Sequence, residues 1–277
     1  MVTGNDTRIR STPRLSLAVI TRDEERNLPR LLERARQFVD ELVIVDSGST
    51  DRTVSIAREF GARVIEADWP GFGRQKQRAL EACSGDWILS LDADEFPDEE
   101  LVSALARVTR GEGGRYGAYM IDRLTEYQGA FVRHAWSPDW VVRLVRRGAG
   151  RWDEKPVHEK MIVQGPIGRL PGHLLHYSYE NLTDHYQRLV GYARSGAEHL
   201  DRKGYRFCAT QLVARPLGAF LRRYLLKRGF RDGVRGLLVA GAAAMGVFMK
   251  YAFLFERQRR SRKPPAEPDR KRETENE

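Results

Sequence analysis

Four apolar runs in the first third of the chain each end at a polar or acidic residue, with helix-like stretches between them. Leu15–Ile20 reads as a buried strand ending at Thr21, and Glu41–Val45 as one ending at Asp46. Arg63–Ala67 and Trp87–Leu91 follow, with Asp68 and Asp92 at or just past their ends. Between the first two, Leu28, Leu31, Leu32 and Ala35 recur at the spacing of one helix face, with Asn27 as cap and Pro29 in the first turn. Residues 52–60 and 75–82 supply two more helices, the first capped by Ser49 or Thr50. Strands alternating with helices imply βαβ units and a largely parallel sheet. Such sheets bind ligands at the carboxyl ends of their strands, where Thr21, Asp46, Asp68 and Asp92 all fall.

The last of these runs carries the sharpest chemistry. Ile88–Glu95 reads Ile-Leu-Ser-Leu-Asp-Ala-Asp-Glu. An acid at the end of a buried strand is costly unless something cationic meets it. Asp92 and Asp94, alternating on an extended chain, can reach a nucleotide sugar and a divalent cation bridging its phosphates. Oxygen ligands suit Mg²⁺ or Mn²⁺, and Mg²⁺ commonly uses one or two carboxylates plus substrate phosphates. Asp-x-Asp alone also occurs as a pair of solvated loop acids; its place behind an apolar strand sets this pair apart.

Farther along, a helix from Pro97 to about Arg110 precedes a Gly-rich turn at 111–114. Tyr116–Leu124 and Trp140–Arg146 read as strands separated by an aromatic-rich loop, and the pattern turns helical from Asn181. At 277 residues with 41% hydrophobic and 31% charged side chains, the chain is a folded protein with length for one sizeable domain and an appendage. Residues 1–14 are polar, without the apolar core of a secretory signal, and are expected to be flexible; residues 261–277 read as a disordered tail. Cys83 and Cys208 make neither a disulfide framework nor a metal cluster, and both read as small core residues of a reducing compartment.

The charge is concentrated. Residues 202–263 hold 16 Lys/Arg against Asp232 and Glu256, a net of +14 in a chain of net +9. Such a segment suits an anionic surface, either lipid headgroups or nucleic acid, or is simply a solvated basic face. Leu237–Met249 is a run of 13 uncharged residues between basic flanks. It is short for a span, so docking on the cytoplasmic membrane surface is expected, with a core helix or a true span as alternatives.

With the strands placed, Val45-Asp46-Ser47-Gly48-Ser49-Thr50-Asp51 and Leu91-Asp92-Ala93-Asp94-Glu95 resemble the inverting family-2 glycosyltransferases of the GT-A fold. Trp69 through Lys76, Asp86 through Leu91, Val157-His158-Glu159, His176-Tyr177-Ser178 and Tyr224 through Gly233 are similar to the bacterial lipopolysaccharide inner-core β-1,4-glucosyltransferase branch. The resemblance runs from about Leu15 to Phe255. It implies an α/β, Rossmann-like, mostly parallel sheet flanked by helices over 15–180, then a basic helical membrane-associating appendage over 181–260. One departure stands out: Thr21-Arg22-Asp23-Glu24 has Asp23 where the branch has Asn, an added charge expected to retune the nucleotide pocket.

The resemblance implies a peripheral enzyme of the inner membrane's cytoplasmic face. It would move a hexose from a nucleotide sugar, UDP-linked by analogy, to a lipid-linked saccharide with inversion at C1. Thr21 and Asp46 would lie around the base, Asp46 alternatively making an Asx-type turn to Ser49. Lys76 would approach the diphosphate, or else be a solvated helix residue. Asp92 would serve ribose and metal, Asp94 would bind the metal directly, His176 would complete its shell, and Glu95 would support them. Glu159 is the favoured general base, with Glu154 and Asp153 behind it; a surface ion pair is its bland alternative. Trp136, Asp139 and Trp140 would floor a sugar pocket or form an aromatic core corner. The competing class is a catalytically degenerate protein of the same fold that binds nucleotide or an anionic surface. No nucleic-acid motif accompanies the basic charge, so nucleic acid is not the expected partner.

Overall fold

The computed structural model describes residues 14–154 and 159–260. The expectations for the N-terminal stretch before Arg14, for Val157 and His158, and for the tail from 261 lie outside the described residues. The chain forms two units, one of residues up to 126 with 137–178, the other of 127–136 with the residues from 179 onward.

In the first unit β1 (Leu15–Thr21), β2 (Glu41–Asp46), β3 (Arg63–Glu66) and β4 (Trp87–Asp92) run parallel in the order β3-β2-β1-β4. Their apolar side chains alternate between two cores, as the two-residue period of a strand requires. Leu15, Leu17, Val19, Ile44, Trp87 and Leu89 face one core, while Ala18, Val43, Val45 and Ile88 face the other. The first core takes α1 (Leu28–Ala35) and α2 (Thr53–Glu59); the second takes α3 (Phe72–Ala82). All four stripe residues of α1 are buried, and each of the three leucines contributes about 1.5–3 kcal/mol by leaving water. A helix this short is held by that stripe rather than by its intrinsic propensity.

Two cap assignments change. Asn27 holds the N-cap position of α1 without a side-chain cap bond, and its amide donates to Glu24 instead. Neither Ser49 nor Thr50 caps α2; Asp51 accepts the Thr53 N–H at 2.9 Å, because Ser49 turns to Asp46 and Thr50 to Asp23.

Beyond β4 the sheet becomes mixed. β5 (Glu95–Pro97), α4 (Glu99–Arg107), β6 (Ala118–Tyr127), the two-residue β7 (Ala130–Phe131), β8 (Trp140–Arg146), β9 (Gly150–Trp152), β10 (Met161–Val163) and β11 (Ile167–His176) follow in the chain. β8 lies antiparallel between β4 and β6; β11 runs parallel to β6 and antiparallel to β5. Parallel pairing is thus confined to the first half and to β6–β11. Strand β11 gave no sequence signal because Gly168, Pro171 and Gly172 interrupt it. The register shifts between Arg169 and His173, where a proline that lacks an N–H is tolerated.

The second unit holds α5 (Leu182–Arg202), α6 (Gln211–Leu221) and α7 (Gly233–Arg260). Asn181 caps α5 by accepting the Asp184 N–H at 3.0 Å. The loop residues 133–135 belong to this unit because Asp232 accepts the N–H groups of Arg133, His134 and Ala135 at 2.8–3.1 Å. The uncharged run of 13 residues becomes part of a 28-residue helix, long and apolar enough by length and composition to cross a membrane.

Candidate active site

Parallel register brings the strand ends level: Thr21 lies opposite Asp46, and Ile20 opposite Asp92. Thr21 donates to Asp46 Oδ2 at 2.9 Å, while Asp46 Oδ1 accepts the N–H groups of Gly48 and Ser49 at 3.0 and 2.8 Å. Asp46 therefore makes the Asx-type turn, its carboxylate shaping the loop. The same loop is tied to the one after β1 through Asp23. With φ of 55°, a conformation that Asp and Asn tolerate better than most residues, Asp23 accepts from the Thr50 N–H at 2.7 Å and the Thr50 hydroxyl at 3.2 Å. The added charge is used on this loop. Asp68 stands apart, exposed and paired with Arg78 at 2.8 Å.

The start of α3 decides where Lys76 goes. A Cβ on Gly73 would lie 2.0 Å from the Asp153 carbonyl oxygen, so only glycine lets the helix settle on the segment after β9. Lys76 is consequently buried, not solvated. Its Nζ lies 2.8 Å from Asp92 Oδ1 and 2.8 Å from Glu159 Oε1, and 5.0 Å from the centre of the Trp152 ring. Of the three candidate bases, Glu159 alone joins this network. Glu154 is exposed and paired with Arg74 at 2.9 Å, while Asp153 accepts the Lys160 N–H.

Asp92 is gripped from its other side by Arg143, whose Nη2 lies 2.7 Å from Oδ2. Burial pushes the Asp92 carboxyl up, but Arg143 and Lys76 outweigh it and hold the group well below the usual carboxylate range. Arg143 also meets the fully buried Glu95 at 2.6 Å, and Arg123 reaches Glu95 at 3.1 Å and Asp139 at 2.8 Å. The Glu95 carboxylate in turn accepts the Asp92 N–H at 3.2 Å. Glu95 is therefore the underside of the Asp-x-Asp turn, held by two arginines. Neither arginine was foreseen; the signal was an Arg at a strand interior in Trp-Val-Val-Arg-Leu-Val-Arg, which needs a buried acid opposite it.

Asp94 faces elsewhere. Its Oδ2 lies 3.3 Å from His176 Nε2, and the other ring nitrogen of His176 is 3.3 Å from the Thr125 hydroxyl. The register of β11 against β5 and β6 sets His176 beside Glu95 and Thr125, and the Tyr177 N–H donates to the Asp94 carbonyl at 3.0 Å. Burial pushes the Glu24 carboxyl up, and the charges of Asp94 and Asp92 push it the same way. An imidazole and a carboxylate in an acidic field fit a divalent cation whose other ligands are water and phosphate oxygen. Among the described residues no three acidic, histidine or cysteine side chains form a complete metal cage. Asp92, with both oxygens on cations, does not stand with Asp94 and His176 as an open ligand.

Trp136 falls in the second unit, and Asp139 and Trp140 in the first. Trp136 stacks on Tyr179 at 5.7 Å within the second unit's aromatic cluster, Asp139 holds Arg123, and Trp140 lies under Arg169 at 4.7 Å.

A parallel half-sheet that delivers an Asp-x-Asp pair to a mixed half bearing a histidine defines a glycosyltransferase of the GT-A fold. The sequence profile of Glycosyl transferase family 2 matches residues 16–129. The lipopolysaccharide core biosynthesis glycosyltransferase LpsC of Rhizobium meliloti is 30% identical over 266 residues, 90% of this chain and 95% of that one. The uncharacterized glycosyltransferase RT0209 of Rickettsia typhi is 28% identical over 260 residues, 90% and 89% of the two chains. Among solved structures, glucosyl-3-phosphoglycerate synthase of Mycobacterium tuberculosis superposes with a TM-score of 0.34 at 28% identity, covering 42% of this chain and 45% of that one. The chain belongs to Glycosyl transferase family 2.

Proposed function

We propose that this glycosyltransferase moves a hexose from a UDP-linked donor to a hydroxyl of a lipid-linked saccharide, of the lipopolysaccharide-core kind, with inversion at C1. The observation that carries the reading is the division of labour in the Asp-x-Asp pair. Asp92 is fixed between Lys76 and Arg143, and Asp94 is turned to His176. The name of the Rhizobium meliloti relative supports the acceptor class.

Asp94 and His176 would hold Mg²⁺ or Mn²⁺, which when bound supplies positive charge to the departing diphosphate. Thr21 and the loop built on Asp46 line the base side, where the parallel strands end. Lys76 lies between the donor-side acid Asp92 and the acceptor-side acid Glu159, so one ammonium positions both carboxylates. Glu159 takes the proton of the attacking hydroxyl as the bond to C1 forms and the bond to the diphosphate breaks. The basic second unit keeps the enzyme at the cytoplasmic face of the membrane that carries its acceptor.

The test is a transfer assay on the full chain with UDP-hexoses and Mn²⁺, paired with donor-induced thermal shifts. Glu159→Gln is expected to lose about 10²–10⁴-fold in turnover, the usual worth of a general base, while keeping the donor shift. Loss of the donor shift instead would move Glu159 to the donor side. Failure of every nucleotide sugar to bind or turn over would favour a degenerate member of the fold.

A further inference from the structure

The second unit leaves a large apolar surface uncovered, and α6 is its clearest part. No residue of α6 is buried. Val213, Leu217 and Leu221 repeat every four residues, so they share one face of the helix. The stripe continues through Leu225 and Leu226 in the turn that follows, and Phe230 lies beyond it. Val213 is 70% exposed, Leu217 54% and Leu226 81%. Arg222, Arg228 and Arg231 are exposed along the same stretch, where Asp232 is the only acid. Asp232 is itself turned inward, onto the loop at 133–135.

An apolar face with an arginine border suits one occupant, an anionic bilayer surface. The apolar side chains enter the acyl boundary while the guanidinium groups stay at the phosphates. We infer that α6 and the turn after it, residues 211–231, form an in-plane docking surface for anionic lipid headgroups. The spanning candidate α7 is not the anchor. One flank of α7 is covered by α5: Leu189 sits where a Cβ on Gly246 would be, and Arg257 pairs with Glu198 at 3.3 Å and Asp201 at 3.4 Å. A spanning α7 would draw α5 into hydrocarbon, with Asp184, Arg188, Arg194 and Glu198 on it, and charges at that depth are costly. The inference rests on the reading that the acceptor is lipid-linked for its purpose alone, since vesicle binding is measured without donor or acceptor.

The full chain is sedimented with vesicles of phosphatidylcholine, and of phosphatidylcholine with about one third phosphatidylglycerol. The wild type is expected to pellet about tenfold better with the anionic vesicles, an advantage that salt removes. Leu217→Asp with Leu226→Asp is expected to remove binding at an unchanged melting midpoint, because both positions face solvent. Arg222→Gln with Arg228→Gln is expected to remove only the preference for anionic lipid. Three results would overturn the inference: no pelleting of the wild type with either vesicle, release by Met245→Asp with Phe248→Asp on α7 but not by the α6 pair, or concentration-dependent dimers that the α6 pair abolishes. Because these outcomes need no turnover, a failed transfer assay and a failed docking surface are told apart.

Discussion

The two units of this glycosyltransferase solve opposite problems. The first takes charge inside: Lys76, Glu95 and Arg143 are all buried, and each is paired with an opposite charge. The second leaves apolar surface outside. Among the described residues, twelve of the sixteen exposed large apolar side chains lie from Tyr192 onward. Buried ion pairs are poor sources of stability but hold groups in one geometry, which suits a glycosyltransferase site that must orient its substrates. Exposed apolar side chains stabilise nothing in water, and their concentration on one unit is the observation from which the docking surface is proposed. Buried charge and exposed apolar surface are thus concentrated on separate parts of the chain.

The sharpest way to break the first half of that contrast is at Asp94. Asp94→Asn is expected to lower kcat/KM by on the order of a thousandfold with the melting midpoint unchanged, as for loss of a metal-assisted charge at the transition state. Near-normal metal-dependent turnover would remove Asp94 from the site. Arg143→Met strikes the charge network itself. It leaves Asp92 with Lys76 alone and the fully buried Glu95 with Arg123 alone, and about 3–5 kcal/mol of stability should go with it, a fall of roughly 10 °C in the unfolding midpoint. A shift of only a degree or two would mean that Arg123 and Lys76 carry the network unaided.

The cysteines sharpen the contrast without any mutation, one in each unit. Burial raises the Cys83 thiol to about 12, so it stays protonated as well as shielded at pH 8. Cys208 is exposed, contrary to its expected place in a core. It sits in the turn ahead of α6, where the side chain and backbone of Thr210 lower its pKa. Iodoacetamide is expected to label Cys208 progressively faster as the pH rises, and Cys83 only after denaturation; mass spectrometry reads both. Labelling of native Cys83 at pH 8 would show that the first unit opens. The smallest effect is reserved for Asp23→Asn. The amide oxygen can still accept from Thr50, so stability should change by less than about 0.5 kcal/mol. A larger loss would show that the loop needs the charge itself.

Much of the first unit is legible along the chain. Continuous apolar runs locate β1 to β4 within a residue or two, and the i, i+3, i+4, i+7 stripe of α1 is buried as its spacing requires. The Asp-x-Asp pair stands out because an acid at the end of a buried strand is costly until a cation meets it. Less visible are β5, β9 and β10, each three residues long, and β11, broken by glycine and proline. Periodicity needs more residues than a short strand offers, and such strands exist only by pairing with neighbours distant in sequence.

The sequence by itself determined the βαβ half of the sheet, the acidic strand ends and the basic C-terminal third, because each is written in residues close together along the chain. Tertiary structure alone decided which charge meets which. Lys76 meets both Asp92 and Glu159, the latter 83 positions away, Arg143 reaches back to Glu95, and Asp94 finds His176 through the pairing of β5 with β11. It also decided that α6 presents its apolar face to solvent while one flank of α7 is covered by α5. The physical reason is the same in both cases. Local patterns fix backbone conformation, whereas the energy of a buried charge or an exposed leucine depends on what the rest of the fold places beside it.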